Sequence, residues 1–283
     1  MLKQRIITAV VLLAVLLPAL FWPSPYPFAA VVLVLIAGAA WEWGRLNALP
    51  MAPSLAIAAI CVALCGVSWK AGLIEQQAGV LWAIAGAMWV IGGALLLRMG
   101  VAGWPRVPRA LRLVLGLLAL WVAWLAAAQA RYIGINYLLS VLVLVWVADI
   151  AAYAAGRSFG LKFTKNKLAP AISPGKSWEG AWGGTLGVLV LAVCWALADR
   201  RLDAWVPSLY TRLADVGWWL LVIAAVFLTA MSIVGDLTES LVKRSAGMKD
   251  SSNLLPGHGG VLDRVDALLP TLPLAMFIAG VVG

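Results

Sequence analysis

Residues 137–156 read YLLSVLVLVWVADIAAYAAG, and Asp149 is the one charge among them. A run of about 20 mostly apolar residues is long enough to cross a bilayer as a helix. Working outward, further runs of this kind occur at 6–22, 27–44, 52–69, 78–97, 111–130, 178–198, 217–235 and 266–283. The composition agrees with them. Hydrophobic residues are 64% of the 283 and charged residues 12%, against roughly 45–50% and 25% in a globular domain. A soluble fold could not hide that much apolar surface. The expected fold class is an all-α polytopic membrane protein of about nine transmembrane helices. Disordered, collagen-like and disulfide-stapled architectures are excluded. Cys61, Cys65 and Cys194 all sit inside apolar runs, with no metal-ligand spacing.

Sidedness follows from the basic residues. The first run, after Lys3 and Arg5, resembles a signal peptide; with so many spans behind it, an uncleaved signal-anchor is expected. With the N-terminus cytosolic, all of the 21 Lys and Arg except Lys70, Arg131, Arg200, Arg201 and Arg212 fall on the cytosolic side. That is the asymmetry of the positive-inside rule. It accounts for the net charge of +9 without a nucleic-acid partner. Trp22, Trp43, Trp69, Trp104, Trp178, Trp218 and Trp219 fall near span ends, as an aromatic belt would place them. Glu42, Asp149, Glu179, Asp236, Glu239, Asp250, Asp263 and Asp266 also collect at the cytosolic face. Acids have little say in topology, so their gathering points to a polar cavity open to the cytosol.

Three segments can carry chemistry. Asp149 lies about seven residues, roughly 10 Å, inside the end of its span. A carboxylate there costs about 2.5–3.5 kcal/mol on insertion scales, and such residues are functional by default. Tyr153 and Arg157 follow on the same helix face; a structural Asp–Arg pair is the plainer reading. The basic loop 157–177 ends Ser173-Pro174-Gly175-Lys176-Ser177-Trp178-Glu179-Gly180. Ser177 suits a helix N-cap, and the free amides of a helix start suit phosphate. The glycine spacing of a Walker A loop is absent. Beyond it, Gly180/Gly184 and Gly183/Gly187 form small-xxx-small patterns that favour close helix packing.

The third segment is the most specific. If the span at 217–235 continues as a helix, Asp236, Glu239, Ser240, Lys243 and Arg244 share one face. Lys249-Asp250 and the run Pro256-Gly257-His258-Gly259-Gly260-Val261-Leu262-Asp263-Arg264-Val265-Asp266 follow. Two acid-bearing helix ends flanking a glycine-rich loop can hold a hard cation such as Mg2+ between carboxylates and phosphates.

The stretch from Ser240 to Asp266 resembles the signature of the phosphatidate cytidylyltransferases (CDP-diacylglycerol synthases). Ser-x-apolar-Lys-Arg, four residues, Lys-Asp, then a spacer to His-Gly-Gly-apolar-x-Asp-Arg-apolar-Asp is matched at every fixed position. The Ser173–Gly180 segment and the Asp149 span are similar to that family too; the N-terminal spans match only in general character. The resemblance implies a dimeric, many-helix membrane enzyme with a cytosol-facing cavity. Its reaction would be Mg2+-dependent: CTP plus phosphatidate gives CDP-diacylglycerol plus pyrophosphate. By motif position Asp236 and Asp263 would be the Mg2+ ligands, and a second, monovalent cation such as K+ accompanies Mg2+ in some members.

The expected layout is N-terminal transmembrane helices, about five, over 1–135, and a catalytic half over 136–283 with cytosolic loops 157–177 and 236–265. Candidate catalytic residues are Asp149, Lys176, Asp236, Glu239, Ser240, Lys243, Arg244, Lys249, Asp250, His258, Asp263, Arg264 and Asp266. Candidate phosphate-binding residues are Ser173, Lys176, Ser177, Lys243, Arg244, Lys249, His258, Gly259, Gly260 and Arg264. Expected partners are CTP, phosphatidate, membrane lipid and a second copy of the chain, in a bacterial inner membrane. Lys70 and Arg131, on the far side, are expected to leave turnover within a few fold on replacement by Ala. A transporter is the main competing reading, although repeated halves are not evident. A CDP-alcohol phosphatidyltransferase would show an Asp-Gly motif, and the sequence has no Asp-Gly pair.

Overall fold

The computed structural model describes residues 2–283, with side chains from Lys3 onward. The helices are α1 (Leu2–Phe21), α2 (Tyr26–Leu46), α3 (Met51–Lys70), α4 (Gly79–Ala87), α5 (Gly93–Gly103), α6 (Arg109–Ile133) and α7 (Ile135–Phe159). They continue with α8 (Trp178–Arg201), α9 (Leu209–Val216), α10 (Trp218–Ser245), α11 (Leu262–Val265) and α12 (Leu268–Val282). Among the described residues, 9 helical stretches are long and apolar enough to cross a membrane. Each coincides with one of the apolar runs. In lipid a chain must satisfy its own backbone groups, and a continuous apolar run does so as a helix. The protein is a multi-pass membrane protein.

Enclosure varies across the bundle. Over half of α12's span is buried, 56%, against 11% for α1, so the C-terminal helix is central and the first one peripheral. The fourth span runs Gly79–Arg106, longer than the expected 78–97, because α5 and a 3-10 turn at Trp104–Arg106 carry it on past a kink at Gly100; within it a π-helical turn at Met88–Gly92 joins α4 to α5. A π turn absorbs an extra residue without ending the helix. The closest helix pair is α7 with α8, and its glycines explain the approach. A Cβ on Gly183 would lie 2.1 Å from Ala155 Cβ, and one on Gly187 2.7 Å from Ala151 Cβ. The small-xxx-small patterns therefore do pack helices.

Several expectations change. Trp43 and Trp104 are buried rather than interfacial. They meet edge to face with centroids 5.9 Å apart, and the Trp43 indole N–H donates to the Arg112 carbonyl at 3.2 Å. Gly116 leaves the room, since a Cβ there would overlap the Trp43 ring. The segment 157–177 is not loop throughout: α7 reaches Phe159, and β1 (Lys167–Ala169) pairs antiparallel with β2 (Ser173–Ser177). In 236–265, α10 continues to Ser245 and α11 occupies Leu262–Val265. The short α9, capped by Ser208 on the Thr211 amide at 3.2 Å, has no apolar run of spanning length and so left no hydropathy signal.

Candidate active site

A cavity of about 420 Å³ opens between α7, β2, α8 and α10. α7 contributes Asp149, Tyr153 and Arg157, β2 contributes Lys176 and Ser177, and α10 contributes Asp236. Small residues of the α7–α8 seam, among them Ala152, Gly156, Gly180 and Gly184, line it too; their short or missing side chains leave the space. Ser177 caps α8, accepting the Gly180 amide at 3.1 Å, as its position implied. That cap and the antiparallel pairing of β2 fix the backbone on either side of Lys176. Its ammonium lies 2.5 Å from Asp236 Oδ2. Asp236 Oδ1 accepts the Ser240 hydroxyl at 3.2 Å, one turn further along α10. Asp149 is exposed to the cavity and makes no ion pair with Arg157, which instead donates to the Tyr153 hydroxyl at 3.1 Å.

Asp266 flanks this cluster. Gly235 permits that, because a Cβ there would lie 2.5 Å from the Asp266 carbonyl oxygen. Asp149 and Asp266 both lie within electrostatic reach of Asp236, which repels them, and of Lys176, which attracts them.

Behind the cavity wall a second cluster is almost dry. Lys243 bridges Glu239 and Asp263, reaching Asp263 Oδ1 at 2.6 Å. Asp263 Oδ2 accepts the Ser251 amide at 3.0 Å, the Ser251 hydroxyl at 3.0 Å and the Gly260 amide at 2.8 Å. Glu239 Oε1 is buried with no hydrogen-bond donor. Glu42, which the sequence marks only as one acid among several near this face, is fully buried here; it accepts from Ser252, Val261 and Leu262, and the Ser251 hydroxyl lies between it and Asp263. Glu179 pins the turn after α7, accepting the Phe163 and Thr164 amides at 3.1 and 2.7 Å. Neither role has a local sequence signal, since each depends on a segment brought in by folding.

The remaining candidates stand outside the cavity lining. Arg264 donates twice to the His258 carbonyl, at 3.1 and 2.7 Å, and His258 Nδ1 is buried without a partner. Gly259 has φ +84°, a left-handed value that suits glycine, and the Gly260 amide is taken by Asp263. Arg244 is exposed in the last turn of α10, and Lys249 and Asp250 are exposed beyond its end. Ser173 pairs with Ala169 across the hairpin.

The donor set suits a hard cation. The cavity wall offers carboxylates and hydroxyls and no thiol or imidazole, and Asp149, Asp236, Glu239, Asp263 and Asp266 outnumber the nearby Lys176 and Lys243. Among the described residues, no three His, Cys, Asp or Glu side chains are grouped closely enough to form a closed metal cage. Mg2+ usually needs none, taking one or two carboxylates and completing its shell with water and substrate phosphates. Asp236 faces the cavity and fits that use once Lys176 turns from it to a phosphate. Asp263 fits it only by releasing Lys243.

Carboxylates and a lysine thus line a cavity among membrane-spanning helices, the chemistry of an integral-membrane site that can take anionic groups. The comparisons identify its family. The model described as "Cytidylyltransferase family" matches residues 3–282. The chain is 40% identical over 281 residues to the phosphatidate cytidylyltransferase of Pseudomonas aeruginosa, covering 97% of this chain and 95% of that protein. It is 36% identical over 292 residues to that of Haemophilus influenzae, covering 96% of each. A Staphylococcus epidermidis phosphatidate cytidylyltransferase matches at 39% over 147 residues, 52% of this chain and 50% of that one. The chain belongs to the cytidylyltransferase family, and it is a nucleotidyltransferase. The transporter reading is thereby set aside.

Proposed function

We propose that the chain transfers the cytidylyl group of CTP to phosphatidate, yielding CDP-diacylglycerol and pyrophosphate. The observation that carries this reading is the Lys176–Asp236 pair in a cavity walled by spanning helices, in a chain similar over nearly its whole length to two phosphatidate cytidylyltransferases. A lipid headgroup reaches such a cavity from the bilayer and a nucleotide reaches it from water.

A phosphate oxygen of phosphatidate attacks the α-phosphorus of CTP. The bond from that phosphorus to the bridging oxygen of the β-phosphate breaks, and pyrophosphate leaves. Such transfer is mostly positioning and charge stabilisation. Lys176 and Arg157 offset the charge of two polyanions in the cavity, and the exposed Arg244 and Lys249 guide the triphosphate toward it. Phosphatidate is already anionic, so no dedicated base is needed. Asp236, joined by Asp263, would hold Mg2+, which when bound neutralises phosphate oxygens and the leaving pyrophosphate. A monovalent cation beside it, a homodimeric assembly and a bacterial inner-membrane location with the cavity facing the cytoplasm belong to the same reading.

The test is pyrophosphate release from CTP by detergent-purified protein, with phosphatidate and Mg2+ each added or withheld. Release that requires all three, with a CDP-lipid product, is expected. No release from folded protein in any mixture would overturn the reading.

A further inference from the structure

We propose that Glu42 of α2 is a positioning residue for the transfer: it holds the start of α11, which carries Asp263, and the loop before it, so the N-terminal spans complete the site rather than only anchoring it. The inference rests on the reaction proposed above.

Glu42 is 0% exposed, and no Lys, Arg or His stands within ion-pair distance of it among the described residues. A buried carboxylate without a cation must be satisfied by hydrogen-bond donors. Four surround it. Oε1 accepts the Ser252 hydroxyl at 2.5 Å and the Val261 amide at 2.9 Å. Oε2 accepts the Leu262 amide at 2.7 Å and lies 3.1 Å from the Ser251 hydroxyl. The two amides belong to the start of α11, where helix geometry leaves N–H groups free. A side chain on one spanning helix therefore caps another, 220 positions away in sequence.

The connection to the site is direct. The Ser251 hydroxyl that reaches Glu42 also lies 3.0 Å from Asp263 Oδ2, and Asp263 in turn holds Lys243. A hydroxyl has one proton, so Ser251 couples the two carboxylates: what changes at Glu42 changes the donor available to Asp263. Gly260 completes the arrangement. A Cβ there would lie 2.5 Å from Glu42 Oε1 and closer still to Ser251 Oγ. That glycine makes room for the carboxylate and is not free to cradle a phosphate.

Glu42→Gln keeps the shape and replaces one acceptor with a donor. Whichever way the amide turns, a donor among Val261 N–H, Leu262 N–H and the serines loses its acceptor. The expected result is a fall in kcat of about 10–100-fold, the scale of a small misplacement of reacting groups. KM for CTP should move by less than about threefold, because Lys176 and the cavity wall stay in place. Ser251→Ala should lower kcat too, and the double variant should lose little beyond the worse single one, since both break one bridge. Hydrogen exchange read by mass spectrometry should quicken over residues 251–263 and stay unchanged over α8. A merely structural Glu42 would instead lower the unfolding temperature with kcat per folded molecule unchanged. Normal kcat in Glu42→Gln, or losses that multiply in the double variant, would overturn the proposal. If Glu42→Gln does not fold, Ser251→Ala and Ser252→Ala read the same bridge, and normal kcat in both overturns it. If the wild type releases no pyrophosphate, the functional reading has failed and the positioning role falls with it; faster exchange at 251–263 would then show only that Glu42 holds this segment, and unchanged exchange would end that too.

Discussion

The Lys176 ammonium stands 2.5 Å from Asp236 Oδ2, joining two segments that the sequence marks separately. One comes from β2 and the other from α10. In the proposed reaction the cavity between them would thereby offer both a cation for phosphate and a carboxylate for a metal. Replacing Lys176 by Met removes the charge and keeps much of the length. KM for CTP should rise about tenfold or more, the worth of a charge-assisted contact. Steady-state kinetics at fixed phosphatidate measure it, and an unchanged KM would place the triphosphate elsewhere.

Asp236→Asn and Asp263→Asn should each lower turnover by at least about 100-fold, the scale of losing one well-placed electrostatic group. Their stabilities should differ. Asp263 has a 6% exposed side chain and Asp236 a 29% exposed one. The Asp263 variant also weakens the Lys243 and Ser251 contacts, so its unfolding temperature should drop while that of Asp236→Asn holds. Near-normal turnover at saturating Mg2+ in either variant would remove that residue from the metal set.

Gly183→Ala tests the seam that shapes the cavity. The new methyl would meet Ala155 Cβ at 2.1 Å, so α7 and α8 must separate, at a cost of about 1–3 kcal/mol for overpacking. Gly66→Ala, where nothing lies within 4 Å, serves as the control. Thermal unfolding should show a lower midpoint for the first and none for the second. Equal midpoints would mean that the two helices are not held together through this contact.

For Arg131→Ala the structure adds a stability effect to the turnover expectation drawn from sidedness. The residue is buried, and its guanidinium donates to the Leu20 carbonyl at 2.8 Å and the Trp22 carbonyl at 2.5 Å. It holds the end of α1. Loss of both bonds leaves two carbonyls unpaired, at roughly 1–3 kcal/mol each if they stay buried. A lower unfolding temperature is expected, with turnover per folded molecule within a few fold of wild type. Lys70→Ala, at an exposed position, should change neither. A large loss of turnover in Lys70→Ala would put the chemistry at the other end of the bundle.

Much of this molecule was legible in one dimension. The spans, the Ser177 cap and the packing role of Gly183 and Gly187 depend on residues near one another in the chain, and so does the continuation of α10 through Ser240. Hydropathy over about 20 residues decides whether a segment prefers lipid, and helix periodicity decides which of its residues share a face. The signature from Ser240 to Asp266 pointed to the family for the same reason, since its spacing is local.

What folding alone decided is which of those groups meet. Asp236 and Asp263 read alike in sequence, yet the first faces the cavity and the second is enclosed by Lys243, Ser251 and Gly260. Trp43 and Trp104 sit near span ends as belt residues do, but Gly116 admits one of them to the core. Glu42 is marked in sequence only as one of the acids near this face, and nothing local shows its role, because the groups around it arrive from the far end of the chain. A sequence determines what each segment prefers as solvent. Hydrogen bonds between distant side chains are settled only when spans have packed, since only then are the buried polar groups without water and obliged to find one another.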